Sequence, residues 1–358
     1  MAKIDLSNIS HTYNPDDFNP TYALNPFSMT WENGNRYAIL GPSGCGKTTM
    51  LNIVSGLVRP SGGKILFDNR DVTNLKTESR NIAQVFQFPV IYNTMTVYDN
   101  LAFPLKCREF AKEKIEERVQ SVSQTLNLSS FLNMPARKLT ADQKQLISLG
   151  RGLVREDVAA VLMDEPLTVI DPDLKFKLRR SLKEINEQYK TTLVYVTHDQ
   201  NEAMTFADNI IVMDQGEIVQ VGLPKDLFER PKTTFVGYFI GSPAMNLFNS
   251  EVVSNYSIKF SNLEINTKTD LSKIKNKKVK LGIRSEFIKI ANGQKENVID
   301  VKVSRVEDFG NFKLITGKIG EFEIKSKVER ETPISSENLK LFLPAEKCCV
   351  YSEERLVQ

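Results

Sequence analysis

A glycine-rich loop between an apolar strand and a helical pattern limits the folds open to this chain more than any other segment. The loop reads GPSGCGKT over Gly41–Thr48, after the apolar run Tyr37–Leu40 and before a periodic apolar pattern that opens at Thr49. The pattern G-x-x-x-x-G-K-[ST] in a strand–loop–helix context is that of a P-loop, whose backbone N–H groups and helix N-terminus hold phosphates. We therefore expect an α/β fold of the P-loop NTPase type.

Two side chains of this loop carry chemistry beyond the backbone. Lys47 is expected to reach the β- and γ-phosphates, and the Thr48 hydroxyl is expected to ligate Mg²⁺. The competing interpretation is a glycine-rich turn that binds nothing. We adopt the phosphate-binding interpretation because both the spacing and the strand–loop–helix context are complete.

Two carboxylates follow a second apolar run. The run Val158–Met163 has the continuous apolar character of a parallel strand buried on both faces, and Asp164 and Glu165 come next. Ligands of α/β sheets bind at the carboxyl ends of the strands. By itself the pair is compatible with a solvated strand end. Beside a phosphate loop, Asp164 fits a Mg²⁺ shell and Glu165 fits a base for the attacking water.

One of the two histidines also follows a predicted buried strand. The apolar run that starts at Thr191 ends in Thr197 and His198, ahead of a helical pattern. His198 is placed either to hydrogen-bond a γ-phosphate oxygen and the attacking water, or to cap the next helix. The segment alone favours the cap, and both interpretations stay open at this point.

Two further side chains are candidates because of their positions. Tyr13 lies shortly before the loop, where its ring is either a stacking partner for a nucleobase or a partly buried strand residue. The spacing does not separate these two interpretations. Gln87 follows a predicted strand that starts at Asn81, so its amide is a candidate metal ligand that senses the γ-phosphate.

The segment after this glutamine is too apolar for an ordinary surface loop. It is either part of the local core or a groove for a helix of a partner protein. The residues concerned are Phe88, Val90, Ile91, Tyr92 and Met95.

Composition restricts only the broad class. The 358 residues carry a net charge of +3, which is too small to indicate nucleic acid by itself, and the lysine run Lys273–Lys280 is typical of solvated surface. No apolar run approaches the ~18 residues that span a bilayer, and the N-terminal segment lacks the apolar stretch of a signal peptide. Four cysteines without metal-ligand spacing favour a reduced, cytosolic protein.

The last third of the chain has a different pattern. Ahead of it, the segment Asn209–Pro231 predicts a hairpin that turns at Asp214–Gly216, followed by a short helix. Farther along, short segments of alternating polar and apolar residues, such as SIKF, LEIN and FKLITGKI, are separated by turn signals and predict a small all-β barrel over residues 249–358. The glycine and proline signals before it suggest a linker at residues 236–248. The predicted organisation is therefore a nucleotide-binding domain at residues 1–235, the linker and the β domain.

The order of these motifs resembles that of the ATP-binding subunits of ABC transporters. The likeness covers Lys3–Phe239 and includes the family's signature at Lys138–Gln143 and its D-loop at Thr168–Asp171. It implies a head-to-tail dimer, in which each ATP lies between the phosphate loop of one chain and the signature of the other. The implied cofactors are ATP and Mg²⁺.

The resemblance also implies roles for individual residues. Catalytic roles are implied for Lys47, Glu165 and His198, metal binding for Thr48, Gln87 and Asp164, and a D-loop role for Asp171. ATP contacts are implied for Tyr13, Gly41, Pro42, Ser43, Gly44, Cys45, Gly46, Lys47, Thr48, Thr49 and Gln87. The signature residues that would face the partner's ATP are Thr140, Ala141, Asp142 and Gln143.

The signature departs from the family's Leu-Ser-Gly-Gly-Gln. Thr140 keeps a hydroxyl, but Ala141 and Asp142 replace the two glycines. Thr140 and Gln143 match a capping box, and an acidic residue suits the first turn of a helix. A carboxylate ~5 Å from one phosphate charge nevertheless costs about 3 kcal/mol at an effective dielectric of ~20. We therefore expect a paralogous ATPase with an intact signature as the partner, in preference to a second copy.

The C-terminal segments IGSPAMN and LGIRSE are similar to those of importer ATPases for carbohydrates, polyols and glycerol phosphate, whose C-terminal domain is OB-like. The segments LTADQKQ and LTVID also resemble a subset associated with glycerol. The resemblance implies a subunit that energises such an importer from the cytoplasmic face of the inner membrane. The implied partners are a second ATPase, two permease subunits and, indirectly, a solute-binding protein.

Two alternatives belong to other functional classes. One is a slowly hydrolysing, regulatory ATP-binding subunit of the same kind of complex. The other is a soluble ABC-type ATPase that acts on ribosomes or DNA, although such proteins carry tandem cassettes or coiled-coil insertions and this chain has one cassette. We expect no nucleic-acid partner, because the predicted barrel strands carry few aromatic residues and mixed charge.

Overall fold

The computed structural model describes residues 2–17, 20–274, 278–334 and 337–357. The chain divides into two compact units, Met1–Pro224 and Lys225–Gln358. Within the described ranges, no helix combines the length and the apolar character that crossing a membrane requires.

The first unit is an α/β fold with two sheets. Its strands are β1 (Ile4–His11), β2 (Leu24–Trp31), β3 (Arg36–Leu40), β4 (Gly62–Phe67), β5 (Arg70–Asp71), β6 (Ala83–Val85), β7 (Val161–Asp164), β8 (Leu193–Thr197), β9 (Asn209–Asp214) and β10 (Glu217–Gly222). Its helices are α1 (Lys47–Ser55), α2 (Val97–Lys106), α3 (Lys112–Thr125), α4 (Ala141–Leu153), α5 (Pro172–Tyr189) and α6 (Gln200–Phe206).

The larger sheet of this unit has the strand order β10-β9-β3-β8-β7-β6. Five of its strands are parallel, and β10 pairs antiparallel with β9 at one edge. Strands β7 and β8 are buried along their whole lengths, as expected for parallel strands covered on both faces. Because the strands run in one direction, the loops after β3, β6, β7 and β8 all leave from the same edge of the sheet.

Helix α1 lies between the two sheets. The smaller sheet is antiparallel with the order β2-β1-β4-β5. Met50 and Ile53 of α1 share one apolar core with Ile4 of the smaller sheet and with Ile39 and Val194 of the larger sheet. This core fixes the direction in which α1 leaves the phosphate loop.

A second apolar core covers the other face of the larger sheet. It joins residues of α2, α3, α4 and α5 to strands β6, β7 and β8. Helices α4 and α2 approach closely at Gly150, where an added Cβ would lie 2.6 Å from a methyl carbon of Leu101. The helix that begins with the signature is thereby packed directly against the helix that follows the apolar loop.

The predicted hairpin after β9 is confirmed. The strands β9 and β10 pair antiparallel, and Gln215 and Gly216 take the left-handed conformations of a two-residue turn, with φ of 45° and 78°. A short helix, α7 (Pro224–Glu229), follows as the sequence predicts.

The second unit is built mainly of antiparallel strands, which follow α7 and a further short helix, α8 (Thr234–Phe239). Its strands are β11 (Asn246–Ser254), β12 (Ser257–Phe260), β13 (Leu263–Asn266), β14 (Lys278–Ile283), β15 (Lys289–Ile290), β16 (Val298–Asp308), β17 (Phe312–Ile319), β18 (Phe322–Glu329), β19 (Asn338–Phe342), β20 (Cys349–Ser352) and β21 (Arg355–Leu356). They form two sheets, β13-β12-β11-β14-β20-β21 and β15-β19-β16-β17-β18.

The prediction of a small all-β C-terminal domain is confirmed. The segments SIKF, LEIN and FKLITGKI coincide with β12, β13 and β17 to the residue. Residues 236–248, predicted as a linker, contain the end of α8 and the start of β11, and by their contacts they group with the second unit. The domain boundaries at residues 235 and 248 stay predictions.

Candidate nucleotide-binding and hydrolysis site

The phosphate loop takes the conformation that its glycines allow. It connects β3 to α1, and Gly44 and Gly46 have φ of 80° and 101°, a region that other residues rarely adopt. A Cβ on Gly46 would also lie only 2.4 Å from the backbone oxygen of Ala23. The loop therefore depends on glycine at this position for both its backbone angle and its packing.

The Lys47 ammonium is buried inside the curve of its own loop. Its Nζ donates hydrogen bonds to the backbone oxygens of Gly41, at 2.9 Å, and Pro42, at 2.8 Å. The loop carbonyls thus hold a positive charge at the point where the sequence predicts phosphate. An incoming anion can compete for this ammonium without breaking an ion pair to a carboxylate.

Asp164 lies buried at the end of β7, beside the start of α1. Burial raises the pKa of its carboxyl above the usual value, and the charge of Glu165 acts in the same direction. A hydrogen bond from the Thr48 hydroxyl and the charge of Lys47 lower the pKa in part. A hydroxyl and a carboxylate that already touch are a suitable pair of oxygen donors for a small divalent cation.

Glu165 adopts a strained backbone conformation next to the histidine. Its φ is 45°, which costs a residue other than glycine of order 1 kcal/mol. Its backbone N–H donates to the oxygen of Val196 on the neighbouring strand, at 3.0 Å. Its Oε2 lies 3.2 Å from Nδ1 of His198. The structure therefore brings the predicted base, Glu165, and the predicted catalytic histidine, His198, into direct contact.

His198 is not the cap of the next helix. Asp199 caps α6 instead, because its carboxylate accepts from the backbone N–H of Asn201 at 2.7 Å. The imidazole is mostly exposed, with one nitrogen towards Glu165. This geometry removes the capping interpretation and leaves the ring available to a ligand at the sheet edge.

Asp171 starts helix α5 just beyond this pair. Its side chain accepts from the backbone N–H of Asp173 at 3.0 Å, and proline occupies the first position of the helix. Both features are typical of a firmly defined helix start. The predicted D-loop residue, Asp171, is thus held in position because it is itself the N-cap of α5.

Tyr13 lies just after the end of β1, next to the phosphate loop. Its hydroxyl lies 3.1 Å from the Thr49 hydroxyl, and 60% of the residue is exposed. The buried ring of His11 contacts it edge-on, at 4.5 Å between centroids. An exposed ring tethered beside the loop is suited to stacking on a base, so the alternative of a partly buried strand residue is wrong.

Gln87 is exposed in the loop after β6. The backbone of this loop is held by α4, since Gln145 donates to the oxygen of Phe86 at 3.1 Å and the Ser148 hydroxyl accepts from the N–H of Val90 at 3.3 Å. Sequence reasoning missed Gln145 and Ser148. Their polar character on an otherwise buried helix face is the signal that identifies them.

The signature residues form the predicted capping box at the start of α4. The Thr140 hydroxyl accepts from the N–H of Gln143, and the Gln143 side chain accepts from the N–H of Thr140 at 3.1 Å. The Thr140 hydroxyl donates its proton to the Asp142 carboxylate. The one proton that this hydroxyl offers to a phosphate is therefore bound to a side chain of the same chain.

The apolar loop before α2 is mostly exposed surface, although Ile91 packs against the local core and Met95 is half-buried. Phe88 is 72% exposed, and Phe86, Val90 and Tyr92 are also exposed. Two of them, Phe86 and Val90, line a groove of about 250 Å³ together with residues of β6, α2 and α4. Arg151 of α4 stacks on the ring of Tyr92, at 4.7 Å, at the side of this groove.

These features define a class of protein. A phosphate loop, a buried strand-end aspartate, and a glutamate in contact with a histidine meet at one edge of a parallel sheet, and a capped signature-type helix completes the set. This is the construction of a P-loop ATPase of the ATP-binding-cassette type.

Comparison with known proteins agrees with this class. The family described as ABC transporter matches residues 24–168, and the family described as MalK OB fold domain matches residues 241–288. The chain belongs to the ABC transporter family of ATP-binding proteins, and it is an ATPase that uses ATP. The predictions of family and fold class are confirmed.

The similarity to individual relatives extends over most of the chain. It is 37% identical to the sn-glycerol-3-phosphate import ATP-binding protein UgpC of Pectobacterium atrosepticum, over 96% of each chain. It is 37% identical to the trehalose/maltose import ATP-binding protein MalK of Thermococcus litoralis, over 85% of this chain and 86% of the relative. The dimeric post-hydrolysis structure of the ATP-binding cassette MJ0796 bound to ADP and Pi matches 62% of this chain and 98% of its own, with a TM-score of 0.56 and 28% identity.

Proposed function

We propose that this chain hydrolyses ATP to energise an ABC importer for a sugar, a polyol such as glycerol, or a glycerol-phosphate-like solute. The observation that carries the proposal is the joining of an ATPase unit to a MalK-type OB fold. This arrangement extends over the length of relatives named for the import of sn-glycerol-3-phosphate and of trehalose or maltose. Import ATP-binding subunits work with membrane permeases and a solute-binding protein, and we place this chain on the cytoplasmic face of the inner membrane.

In the proposed hydrolysis, the contact between the glutamate and the histidine organises the proton transfer. Glu165 accepts a proton from the attacking water through its carboxylate. His198, whose Nδ1 lies 3.2 Å from Glu165, donates in its imidazolium form from Nδ1 to Glu165 and from Nε2 to a γ-phosphate oxygen. Lys47 exchanges its bonds to the loop carbonyls for phosphate oxygens and offsets the charge that develops during transfer.

The donor set also fits Mg²⁺, which would neutralise phosphate charge when bound. Burial raises the pKa of the Asp164 carboxyl, to which the Thr48 hydroxyl donates a hydrogen bond, and a bound divalent cation would offset the cost of keeping this buried carboxylate charged. We assign these two residues, with the amide of Gln87, as its ligands. The described residues contain no group of three or more His, Cys, Asp or Glu side chains that could hold a metal ion, so hydroxyl, amide and phosphate oxygens would complete the shell.

We further propose that the chain pairs head-to-tail with a second ATPase, and that this partner is a paralogue. The signature supports this proposal, because Asp142 accepts the hydroxyl proton of Thr140 and adds a negative charge there. A partner with an intact signature would complete the site on the phosphate loop of this chain. The ATP bound to the partner's phosphate loop would face Asp142 and be hydrolysed slowly. At that site this chain would act as a regulatory subunit.

Co-purification with the permease tests this pairing. We expect the detergent-solubilised complex to contain two different ATPase chains in equal amounts. A stable complex that holds this ATPase alone and hydrolyses ATP at both sites would contradict the paralogue proposal, while leaving the importer proposal standing.

The exposed apolar groove is proposed as the contact for a permease helix. Phe88, which is exposed in the same loop as the lining residues Phe86 and Val90, would insert into that contact. We expect Phe88→Ser to abolish capture of the chain by permease subunits in detergent, while the ATP affinity stays unchanged. The matched control is Phe309→Ser, because Phe309 is also exposed but lies in the second unit. Equal capture of both variants would exclude this groove as the permease contact.

A further inference from the structure

A buried glutamate lies behind the catalytic edge and takes no part in the roles assigned so far. Glu202 of α6 is 5% exposed. Its Oε2 accepts two hydrogen bonds, both of 2.8 Å, from the hydroxyls of Tyr195 and Thr197 on β8. Its Oε1 makes no hydrogen bond within the described structure, but it lies 3.5 Å from Nζ of Lys175 and 3.8 Å from a guanidinium nitrogen of Arg179.

The two oxygens of this carboxylate therefore face two different elements. Oε2 is bound to the strand that ends at the histidine, and Oε1 faces two cations of the helix that follows the D-loop. A buried carboxylate is tolerated only when it is paired and hydrogen-bonded, so these contacts make Glu202 a link between the two elements. Neither strand β8 nor helix α5 needs this carboxylate for its own backbone hydrogen bonds.

On the strand side, the contacts continue to both neighbours of His198. Thr197, which donates to Glu202, accepts a hydrogen bond from the backbone N–H of Asp199 at 2.9 Å. The residues before and after the histidine are thus held by one hydroxyl, and that hydroxyl is oriented by Glu202. The direction in which the imidazole leaves the backbone follows from this arrangement.

On the helix side, the contacts lead to the D-loop. Lys175 and Arg179 lie on the first turns of α5, which Asp171 caps. The backbone N–H of Lys175 donates to the backbone oxygen of Asp171 at 2.8 Å. A shift of α5 relative to β8 therefore changes the Glu202 contacts and the position of the D-loop together.

We propose that Glu202 is a positioning residue for ATP hydrolysis, which links the D-loop helix to the strand that carries His198. It contacts neither ATP nor water in this role, and it acts by fixing the imidazole against Glu165. The inference rests on the catalytic roles proposed above for His198 and Glu165.

The test compares Glu202→Gln with wild type in the complex assembled with its permease. Glutamine keeps the size of the side chain but removes the charge that faces Lys175 and Arg179. We expect kcat to fall about 10- to 100-fold, the scale of a misplaced catalytic group. The KM for ATP and the affinity for a fluorescent ATP analogue should stay within twofold of wild type, because Tyr13 and the phosphate loop are untouched. A merely structural role would lower kcat and the affinity for the ATP analogue together, or would lower the yield of folded protein.

A double-mutant cycle with His198→Ala shows whether the effect passes through the histidine. We expect the double variant to be no slower than His198→Ala alone. Multiplicative losses would overturn the inference. A normal kcat in His198→Ala would overturn the role of the histidine and the inference with it. A low kcat in His198→Ala beside a normal kcat in Glu202→Gln would overturn this inference alone.

Two further variants complete the test: one breaks the same link at a different residue, and the other is a control. Thr197→Val removes the hydroxyl that binds both Glu202 and the N–H of Asp199, and it leaves the Tyr195 bond in place, so it should reproduce the fall in kcat even if Glu202→Gln does not fold. A normal kcat in Thr197→Val would count against the link. Glu184→Gln is the matched control, because Glu184 forms an exposed ion pair with Arg180 on the same α5 helix, and its kcat should equal that of wild type.

Discussion

Replacing Asp142 by asparagine removes the charge at the start of α4 and leaves the size of the side chain almost unchanged. In the structure this carboxylate binds the hydroxyl proton of Thr140 and lies in the first turn of the helix. In the proposed dimer the same helix start faces the partner's ATP. The substitution therefore removes a negative charge from the approach to phosphate and frees the threonine hydroxyl.

The size of the effect follows from the separation of the charges. A carboxylate ~5 Å from one phosphate charge costs about 1 kcal/mol if water fills the gap, and about 3 kcal/mol at an effective dielectric of ~20. Since about 1.4 kcal/mol corresponds to a factor of ten, Asp142→Asn should raise kcat/KM at this site about 5- to 150-fold. The gain should shrink at high salt, because salt screens partly exposed charges.

The assay must isolate the site that contains this signature. In a complex of two different ATPases, Lys47→Ala in this chain disables its own phosphate loop and leaves only the partner's ATP to be hydrolysed against Thr140–Gln143. Phosphate release is then compared among this background, the added Asp142→Asn and the added Asp142→Gly. If the complex holds two copies of this chain, the Asp142 variants are compared directly with wild type.

The thermal stability of the Asp142→Asn variant should fall, whereas its rate of hydrolysis should rise. An acidic side chain in the first turn of a helix contributes about 0.3–1 kcal/mol, which asparagine loses. We therefore expect a slightly lower Tm together with faster hydrolysis. The matched control is Ala141→Gly, which restores the first glycine and keeps the charge. Unchanged hydrolysis in both Asp142 variants, or an equal gain in Ala141→Gly, would refute the electrostatic explanation.

Three other substitutions have defined outcomes. Glu165→Gln keeps the shape of the proposed base but does not accept a proton, so ATP turnover should fall about 10²–10⁴-fold while binding of a fluorescent ATP analogue persists. Normal turnover would exclude Glu165 as the base. Tyr13→Ala removes a stacking ring worth about 1–3 kcal/mol, so the KM for ATP should rise about 5- to 150-fold with kcat little changed; an unchanged KM would exclude stacking. Because burial raises the pKa of Asp164, this carboxyl favours the folded state when protonated, and that stability is lost as the pH rises through the raised pKa. Asp164→Asn should therefore raise the Tm of the nucleotide-free protein at neutral pH and reduce the added stability conferred by MgATP; a lower nucleotide-free Tm would contradict the assignment.

Elements with a strong local pattern could be predicted from the sequence. The phosphate loop, the hairpin at Gln215–Gly216 and strands such as Phe312–Ile319 appear where motif, turn residues and alternation place them. Each of these depends on neighbours within about ten residues, for which backbone preferences and the apolar period are sufficient. The capping box of Thr140 and Gln143 was predictable for the same reason.

Side-chain partners that are distant along the chain could not be predicted in this way. Gln145 holds the backbone oxygen of Phe86 from 59 residues away. The contact of Glu202 with Lys175 joins two helices that carry no shared motif. Such pairs depend on how helices pack against the sheet, and no local preference encodes that packing.

By itself, the sequence determined the chemistry available to this protein. It supplied a loop that binds phosphate, two carboxylates and a histidine at strand ends, and an acidic residue in the signature. The tertiary structure decided which of these groups act together, because parallel strands β7 and β8 bring Glu165 and His198 to adjacent positions at one edge. It also decided that His198 faces Glu165 while Asp199 caps the helix, and that the Thr140 hydroxyl is held by Asp142. Directional contacts of this kind arise only when the packed backbone fixes both partners.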